Sequence, residues 1–485
     1  MSVAIEIEPK RGGSPIPASA TPAVAFVESG VLCPEAAANS TNSTTPQIMP
    51  QLGQAIYPAD SILADYMDYA RGQEESADCY LLGSILPVAS ALLARSIWLP
   101  WGESKVYPNL FTVLAGKPGD RKSSAINAAE RLAKAILPPN RFLSHNCSAE
   151  ALFDEFHLES GGFPDKLLIA DDANPILSTW TKAAYGQRVA DRFLTLFDCK
   201  GMTESFRRNA KDNAGPRREI AETSTSLVFG VTFDNCQFKG KQIRSGFGRR
   251  FLYYVAEGHG RFIAHPPKPN PKAFQRIVTG FSRFLTVRTE CSMGEDTTQM
   301  WSDYQRRNRE ELDQDHDEAK LARLNSAPRA VQKVALVFQA AIWAKSGQDE
   351  WDGIIQGSTL NLAIEHVAHC LWTADRLDVV ANREAIRSAA DSLLNHIRAD
   401  FQYLAAGPEG RIVLTKSQLT SRYAPHSSRP NAWRPRDLYD RFIPDLIERD
   451  LARVEGKKGK MVEYAFLANG AVCSLVGSRT SPTQN

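Results

Sequence analysis

The chain of 485 residues carries little net charge and no paired cysteine motif, and each absence excludes a class of protein. A formal charge of +2 excludes a nucleic-acid surface spread over the whole molecule, so any such surface has to be a local patch. The eight cysteines form no C-x-x-C pair and no zinc-type cluster with histidine, which predicts reduced thiols in a cytoplasmic protein. We expect neither a membrane span nor a signal peptide, because no sufficiently long apolar run is present.

What is present is the composition of an ordinary folded protein, with 43% hydrophobic and 23% charged residues. That length and composition suit two or three domains. Segments rich in Ala, Ser, Thr and Pro cannot bury enough surface to become ordered, which predicts disordered tails at both ends. The predicted division is a tail over 1–52, a helical collar over 53–105 with a break near Pro87, an α/β core over 106–265, a helical domain over 266–400, a winged-helix-like domain over 401–470 and a tail over 471–485.

Apolar runs alternate with helical patterns through the predicted core. NLFTVLAG, DKLLIADDA and SLVFGVTFDN are continuous apolar runs, typical of strands buried on both faces of a parallel sheet. RFLSHNCS is a further predicted strand, and SSAINAAERLAKAIL and QRVADRFLTLFDC are predicted helices. The alternation predicts an α/β fold with a mostly parallel sheet and helices on both faces.

The stretch AGKPGDRKSSA differs at one position from a phosphate-binding loop, because Arg121 stands where the pattern has its second glycine. Such a loop joins a strand to a helix, and it presents backbone N–H groups and the helix dipole to a phosphate. Arg121 is tolerable there if its backbone keeps a negative φ. The alternative is a turn before a serine-capped helix. The candidate nucleotide-binding residues are Gly116, Lys117, Pro118, Gly119, Asp120, Arg121, Lys122, Ser123 and Ser124.

A second motif, LLIADD, ends a later apolar strand with Asp171 and Asp172. In phosphate-loop enzymes a separate strand ends in an acid beside the loop and holds Mg²⁺. We predict that Asp171 and Ser123 bind the metal, that Lys122 reaches the outer phosphates, and that Asp172 polarises the attacking water. The alternative is a pair of solvated acids at a strand end. Together the two motifs predict ATP and Mg²⁺ as cofactors.

Two weaker signals follow the acidic pair. The strand SLVFGVTFDN ends in Thr232 and Asn235, candidate sensors of the γ-phosphate, unless they merely form a polar strand exit. GFGRRF then contains Arg250, which we predict neutralises charge on the transferred phosphate, in the same chain or across a subunit interface. Arg249 is the second choice, and a basic surface turn is the alternative.

The C-terminal region is predicted to contain two helices, over IVLTKSQLTSRYA and RPRDLYDRFIPDLIERDLARVE, and then a basic hairpin over GKKGKMVEYAFLA. This is the order of a winged helix, whose second helix enters the major groove while the wing touches phosphate. Neighbouring acids offset the arginines, so protein contacts or packing are the alternative. The basic run RRNAKDNAGPRR is predicted either to grip a strand inside a ring or to be a solvated loop. The candidate DNA contacts of the C-terminal region are Arg434, Arg436, Arg441, Lys457, Lys458 and Lys460.

With these motifs, PNLFTVLAGKPGDRKS, LLIADDA and GFGRRF resemble the YfjI-like P-loop family of unknown function. Its members occur in plasmids, phages and integrated elements, and are commonly described as primase-helicases or replicative helicase-like ATPases. The resemblance covers residues 55–390, and that family also accepts Arg before the loop lysine. It implies a P-loop NTPase fold of the ASCE class, AAA+- or RecA-like. The residues it carries over are Gly116, Gly119, Lys122 and Ser123 on phosphate and metal, Asp171 and Asp172 as the acidic pair, and Arg250.

The leading hypothesis is an ATPase that couples hydrolysis to movement on DNA, as a helicase or translocase in mobile-element or plasmid replication. It predicts single-stranded DNA and copies of the same chain in a ring as partners. No primase motif is present, so a primase would be a separate protein. One alternative is a regulatory or defence NTPase that uses ATP as a conformational switch. Another is a non-catalytic DNA-binding protein whose loop is a relic.

Overall fold

The computed structural model describes much of the chain after residue 50, and the helices and strands lie within those residues. Residues 1–50 of the predicted tail over 1–52 and the whole predicted tail over 471–485 lie outside them. The described residues are 51–144, 149–157, 164–177, 184–205, 217–233, 246–256, 260–315, 318–400, 411–423, 434–458 and 461–467.

The helices are α1 (Ile62–Arg71), α2 (Asp78–Leu93), α3 (Lys122–Ile136), α4 (Ala149–Phe156), α5 (Ala184–Phe197), α6 (Pro271–Ser282), α7 (Glu295–Gln314), α8 (Glu318–Ser346), α9 (Gly357–Asp400), α10 (Lys416–Tyr423) and α11, which comprises Pro435–Asp437, a π-helical turn Leu438–Phe442 and Ile443–Glu448.

Strands occur in a central sheet and in several smaller ones. The smaller sheets have the orders β2-β1-β9, β10-β11, β5-β6 and β12-β14-β13. The strands are β1 (Ile97–Trp101), β2 (Ser104–Val106), β3 (Phe111–Gly116), β4 (Asp165–Ala170), β5 (Met202–Ser205), β6 (Arg217–Ile220), β7 (Ser224–Thr232), β8 (Phe251–Val255), β9 (Thr289–Glu290), β10 (Ser292–Met293), β11 (Ile354–Ile355), β12 (Arg411–Thr415), β13 (Ala452–Lys458) and β14 (Met461–Leu467).

The central sheet has the order β4-β7-β3-β8, and its strands are all parallel. Phe142 adds a single parallel bridge to Leu167 beyond β4, where RFLSHNCS was predicted to form a strand; residues 145–148 of that run lie outside the described residues. The predicted α/β class with a parallel sheet is therefore confirmed. The apolar runs produce this sheet because each strand is buried along nearly its whole length.

Helices cover both faces of the sheet, as the alternation along β3 requires. Leu114 packs with α2 and α3 in one apolar cluster that extends to α8 and the start of α9. Val113 and Ala115 point the other way and pack with α4 and α5 in a second cluster. Successive strand residues face opposite sides, so one short strand contributes to both cores.

The expected break at Pro87 is wrong, because α2 continues through that residue. A proline inside a helix has no N–H for the carbonyl four residues earlier, here that of Gly83. Thr112 of β3 donates its hydroxyl to the Gly83 oxygen at 2.8 Å and so replaces the missing bond. Gly83 also has no room for a side chain, since a Cβ would lie 2.6 Å from the Tyr254 ring. Tertiary contacts thus compensate for the proline.

The C-terminal region differs from its prediction in two elements. The second predicted helix ends at Glu448, and its last residues, 452–455, belong to β13. The run IVLTKSQLTSRYA is not a single helix, because Arg411–Thr415 forms β12 and the helix α10 begins at Lys416. Ile412 and Leu414 are buried while Val413 between them is 44% exposed, the period of two of a half-buried strand. The last turns of α9 pack with β12, α10, α11 and β14 in a separate apolar cluster.

Candidate functional site

The loop after β3 turns tightly and leads directly into α3. The Asp120 N–H donates to the Lys117 carbonyl at 3.2 Å, and the Asp120 carboxylate accepts the Lys117 N–H at 2.5 Å. Gly119 has a φ of 91°, a conformation that favours glycine. Asp120 is 4% exposed, and its two hydrogen bonds with Lys117 stabilise the turn from inside the loop. The sequence pattern correctly placed a strand, a turn and a helix start here.

Arg121 does not keep the negative φ that the sequence interpretation required. Its φ is 59° and its ψ 24°, the left-handed region, in the position immediately before α3. A non-glycine residue there carries strain of about 1 kcal/mol or more. Neighbouring groups hold it: the Ser76 hydroxyl donates to the Arg121 carbonyl at 2.7 Å, and the guanidinium pairs with Glu75 at 2.9 Å. Arg121 therefore adopts, in the loop, a backbone conformation that glycine normally takes.

Gly116 and Tyr80 define the base of the loop. The Tyr80 hydroxyl, on α2, donates to the Ala115 carbonyl at 2.8 Å and accepts the Ala256 N–H at 3.2 Å. A Cβ at Gly116 would collide with this hydroxyl and lie 2.8 Å from the Asp120 carboxylate. Tyr80 was not singled out in the sequence, where it stands among the apolar residues of a helix. Its hydrogen bonds join the ends of β3 and β8.

Lys122 begins α3 and is 7% exposed. Its ammonium donates to the Lys117 carbonyl at 2.7 Å, so its charged end lies against the loop. Burial lowers the pKa of Lys122, while the negative charges of Asp120 and Asp172 act in the opposite direction. Ser123, next in the helix, is exposed. A cation and a helix N-terminus therefore lie together at the loop, which suits an anion.

Asp171 and Asp172 follow β4, and both are exposed. The close approach of this segment to β7 depends on Gly230, because a Cβ there would collide with the Asp171 carbonyl oxygen. The Ala173 N–H donates to the Gly230 carbonyl at 2.8 Å and ties the acidic turn to β7. The acids thus reach the same end of the sheet as the loop, since parallel strands end at one edge.

Thr232 ends β7 directly opposite Gly116. Asn174 lies between Thr232 and the acids: its amide nitrogen donates to Asp172 Oδ1 at 3.0 Å and to Thr232 Oγ1 at 3.3 Å. Sequence reasoning missed Asn174, although its position two residues after the acidic pair was a usable signal. Asn235, the other sensor candidate, lies outside the described residues. We call Gly116, Lys122, Asp171, Asp172 and Thr232 together the carboxyl edge of the sheet.

Arg250 lies at the opposite edge. It ends a 3-10 turn immediately before β8, and Phe251 pairs with Phe111 at the start of β3. Its guanidinium pairs with Asp198 at 3.2 Å and lies 5.6 Å from the centre of the Phe197 ring. The loop is at the far end of β3, so Arg250 does not join the loop of its own chain.

Other buried polar groups surround Arg250. Asn109, fully buried, donates to the carbonyls of Phe197 and Thr225, and the Lys333 ammonium donates to the Asn109 amide oxygen. Burial lowers the pKa of Lys333 to about 8. We call this set the amino edge of the sheet. Its members are Asn109, Asp198, Cys199, Arg250 and Lys333.

The candidate DNA contacts lie on α11 and the β13–β14 hairpin. Arg434, Arg436 and Arg441 are exposed. Acids one turn away lie 3.5 Å from two of them: Asp440 pairs with Arg436, and Asp437 with Arg441. Lys457 and Lys458 belong to β13, and Lys460 lies outside the described residues. Residues 207–216 of the basic run RRNAKDNAGPRR also lie outside them.

The exposed oxygens of Ser123, Asp171 and Asp172 suit Mg²⁺, a hard cation that prefers oxygen ligands. Among the residues that the structure describes, no three His, Cys, Asp or Glu side chains form a metal-binding group. Mg²⁺ usually binds one or two carboxylates together with the phosphates of a nucleotide, so the groups present fit that mode of binding.

The chain matches no protein-family model, and no curated protein is significantly similar to it. The resemblance to the YfjI-like family accordingly stays a prediction. Within the described residues, no helix is both long enough and apolar enough to cross a membrane.

Proposed function

We propose that this chain is a Mg²⁺-dependent ATPase of the P-loop class. The observation that carries the proposal is the meeting of loop, acids and Thr232 at the carboxyl edge of one parallel sheet. Ligands of open α/β sheets bind at this edge. The loop, the acids and Thr232 come from distant parts of the sequence. A chance match to the loop pattern would not bring them together.

The strand order gives further support. β7 lies between the loop strand β3 and the acid strand β4. A strand inserted between these two is the arrangement expected of the ASCE class of P-loop proteins. The parallel bridge at Phe142 extends the same order beyond β4.

Each group at the edge has a defined role in this proposal. Lys122 exchanges the Lys117 carbonyl for an outer phosphate oxygen, while the backbone of Gly116–Ser124 surrounds the phosphates. Ser123 and Asp171 would hold Mg²⁺, which would supply positive charge to the phosphate oxygens. Asp172 orients the attacking water and accepts its proton, and Thr232 donates to the γ-phosphate.

The cellular role we propose is a DNA-dependent helicase or translocase in mobile-element or plasmid replication. Its partners would be single-stranded DNA, further copies of the chain in a ring and a separate primase, in the cytoplasm. Support comes from the C-terminal elements, since β12, α10, α11 and the β13–β14 hairpin follow one another in the order of a winged helix.

A specific observation favours a second candidate, a regulatory or defence NTPase that uses ATP as a switch. The ion pairs of Arg436 with Asp440 and of Arg441 with Asp437 reduce the positive field that DNA would meet on α11. In that case hydrolysis would be slow and indifferent to DNA.

The test is ATP hydrolysis by the purified chain, with and without single-stranded DNA. Lys122→Ala is the loss-of-function variant, and Lys134→Ala is its matched control, because Lys134 lies on the same helix with its side chain 62% exposed. Hydrolysis that rises with DNA and is absent only from Lys122→Ala supports the motor. Hydrolysis unaffected by DNA supports the switch, and full activity of Lys122→Ala overturns the site.

A further inference from the structure

We infer that Asn174 is a positioning residue that orients both Asp172 and Thr232, an inference that rests on the proposed ATPase function. One oxygen of Asp172 accepts two hydrogen bonds from Asn174, from the side-chain amide at 3.0 Å and from the backbone N–H at 3.1 Å. The acid assigned to the water is therefore held by a neighbour that is not itself assigned any chemistry.

The second contact of Asn174 extends across the fold. Its amide nitrogen also donates to Thr232, 58 residues away in the sequence, at 3.3 Å. Thr232 pairs with Gly116, and the N–H of the next residue, Phe233, donates to the Gly116 carbonyl at 3.3 Å. Asn174 thus connects the acid to the base of the loop through Thr232.

The chemistry of these groups determines which way the amide points. An ionised carboxylate only accepts hydrogen bonds, so the nitrogen of Asn174 has to face Asp172. The same nitrogen supplies its second hydrogen to the Thr232 oxygen. The amide oxygen of Asn174 is buried and has no hydrogen-bond partner among the described residues. An unsatisfied buried oxygen costs free energy, which the hydrogen bonds donated by the Asn174 nitrogen offset.

The arrangement has a consequence for Thr232. Its oxygen accepts from Asn174, and its own hydroxyl hydrogen is then directed to a different acceptor. An oxygen of the γ-phosphate is such an acceptor at this edge. Asn174 therefore orients the group that contacts phosphate and the group that contacts water with one amide.

The experiment compares Asn174→Asp with Asn174→Ala and with wild type. Asn174→Asp keeps the shape of the side chain but replaces both donated hydrogens with a carboxylate that faces Asp172. We expect kcat to fall about tenfold or more in both variants, as for other residues that orient a catalytic carboxylate, with the KM for ATP unchanged. The matched control is Asn361→Asp, because Asn361 also donates to a carboxylate, Glu365 at 2.7 Å, on an exposed part of α9.

A double-mutant cycle tests the connection itself. Thr232→Val removes the hydroxyl, while Thr232→Ser retains it. Adding Asn174→Ala to Thr232→Val should lower kcat less than it does in wild type, because the bridge is already broken. The same change in the Thr232→Ser background should retain its full effect.

Several outcomes overturn the inference. Wild-type kcat in Asn174→Asp would do so, and so would fully additive effects of Asn174→Ala and Thr232→Val. A rise in KM together with a lowered melting temperature would indicate a structural role instead. If Asn174→Ala does not fold, Asn174→Asp and the Thr232 pair decide the question. Absence of hydrolysis in wild type overturns the proposed function as well, whereas normal hydrolysis in every variant overturns this inference alone.

Discussion

The two edges of the central sheet differ in the surroundings of their polar side chains. At the amino edge the partly buried Arg250 pairs with Asp198, and the buried ammonium of Lys333 donates to Asn109. At the carboxyl edge Asp171, Asp172 and Ser123 are exposed. Buried charges need partners because removing them from water is costly, whereas a binding site needs groups that are free to take a ligand.

The surroundings of a charged group, rather than its residue type, distinguish the residues of the proposed site from structural ones. Arg250 and Lys122 are both cations next to a strand of the same sheet. Arg250 lies on an aromatic ring and pairs with a carboxylate, which is the environment of a residue that fixes an edge. Within the part of the chain that the structure describes, the Lys122 ammonium donates to one backbone carbonyl of the loop, which a phosphate oxygen can replace.

The largest expected effect is at the carboxyl edge. Lys122→Ala should lower kcat for ATP by about a hundredfold or more, because the charge that stabilises the transferred phosphate is lost. The melting temperature should change little, since the single hydrogen bond to Lys117 is weak in net terms. Steady-state hydrolysis and thermal unfolding measure the two effects. Retained hydrolysis would remove the functional distinction between the edges.

The next effect is a pH dependence at the amino edge. Burial lowers the pKa of Lys333 from 10.5 to about 8. Between these values the unfolded chain binds the proton and the folded chain does not, so this group makes stability rise with pH. The wild type should gain roughly 2 kcal/mol or more over Lys333→Met across that window. Denaturant unfolding at several pH values measures it.

Lys134→Met is the control for that comparison, because Lys134 is largely exposed on α3. Its stability difference from wild type should stay constant over the same pH window. If the difference in free energy of unfolding between wild type and Lys333→Met also stays constant with pH, then Lys333 is more accessible to water than its burial indicates.

The variant Arg250→Ala tests whether the amino edge also has a catalytic role when several copies of the chain assemble. Arg250→Ala should lower the free energy of unfolding by about 1–3 kcal/mol, because Asp198 loses its partner. If Arg250 also reaches the loop of a neighbouring chain, hydrolysis should fall, and mixing with Lys122→Ala chains should restore part of it. Each variant then supplies the group that the other lacks.

The mixing experiment has a clear negative result. Arg250→Ala chains that are destabilised but hydrolyse ATP normally would assign Arg250 to structure alone. Loss of hydrolysis without complementation in the mixture would point to a distorted fold, and a thermal scan of each variant distinguishes that case.

The smallest effect concerns the loop. Arg121→Gly should raise the free energy of unfolding by about 1 kcal/mol, because glycine adopts a positive φ without strain. The lost ion pair with Glu75 offsets part of the gain, since exposed pairs contribute little. Arg121→Ala loses the same ion pair and keeps the backbone strain. The difference in free energy of unfolding between the two variants therefore measures the effect of the positive φ alone. A less stable glycine variant would contradict the strain at this position.

Much of the fold could be predicted from local patterns. The apolar runs of β3, β4 and β7 and the helix after the loop were correctly identified, because burial on both faces leaves a continuous apolar signature. The break at Pro87 was wrong because the bond that replaces the missing one comes from Thr112, on another element. The first C-terminal strand was missed because a short run such as IVLT fits either a strand or a helix.

Some residues of the candidate site could be named from the sequence. The loop residues and the acidic pair were identified from their spacing, and the structure brings them to one edge. Tyr80 and Asn174 were missed because their roles depend on contacts with residues far away in the sequence. Arg250 was placed in the catalytic set on its motif alone, and its pairing with Asp198 could not be foreseen.

The sequence by itself determined the elements of this protein: buried strands, the turn at Gly116–Ser124, and the acids that end β4. These follow from periodicity and local backbone chemistry, which neighbouring residues specify. Only the tertiary structure decided which charges are paired and which are open. Pairing depends on contacts between side chains that are distant in the sequence. Asp198 pairs with Arg250, and Asn174 donates hydrogen bonds to both Asp172 and Thr232.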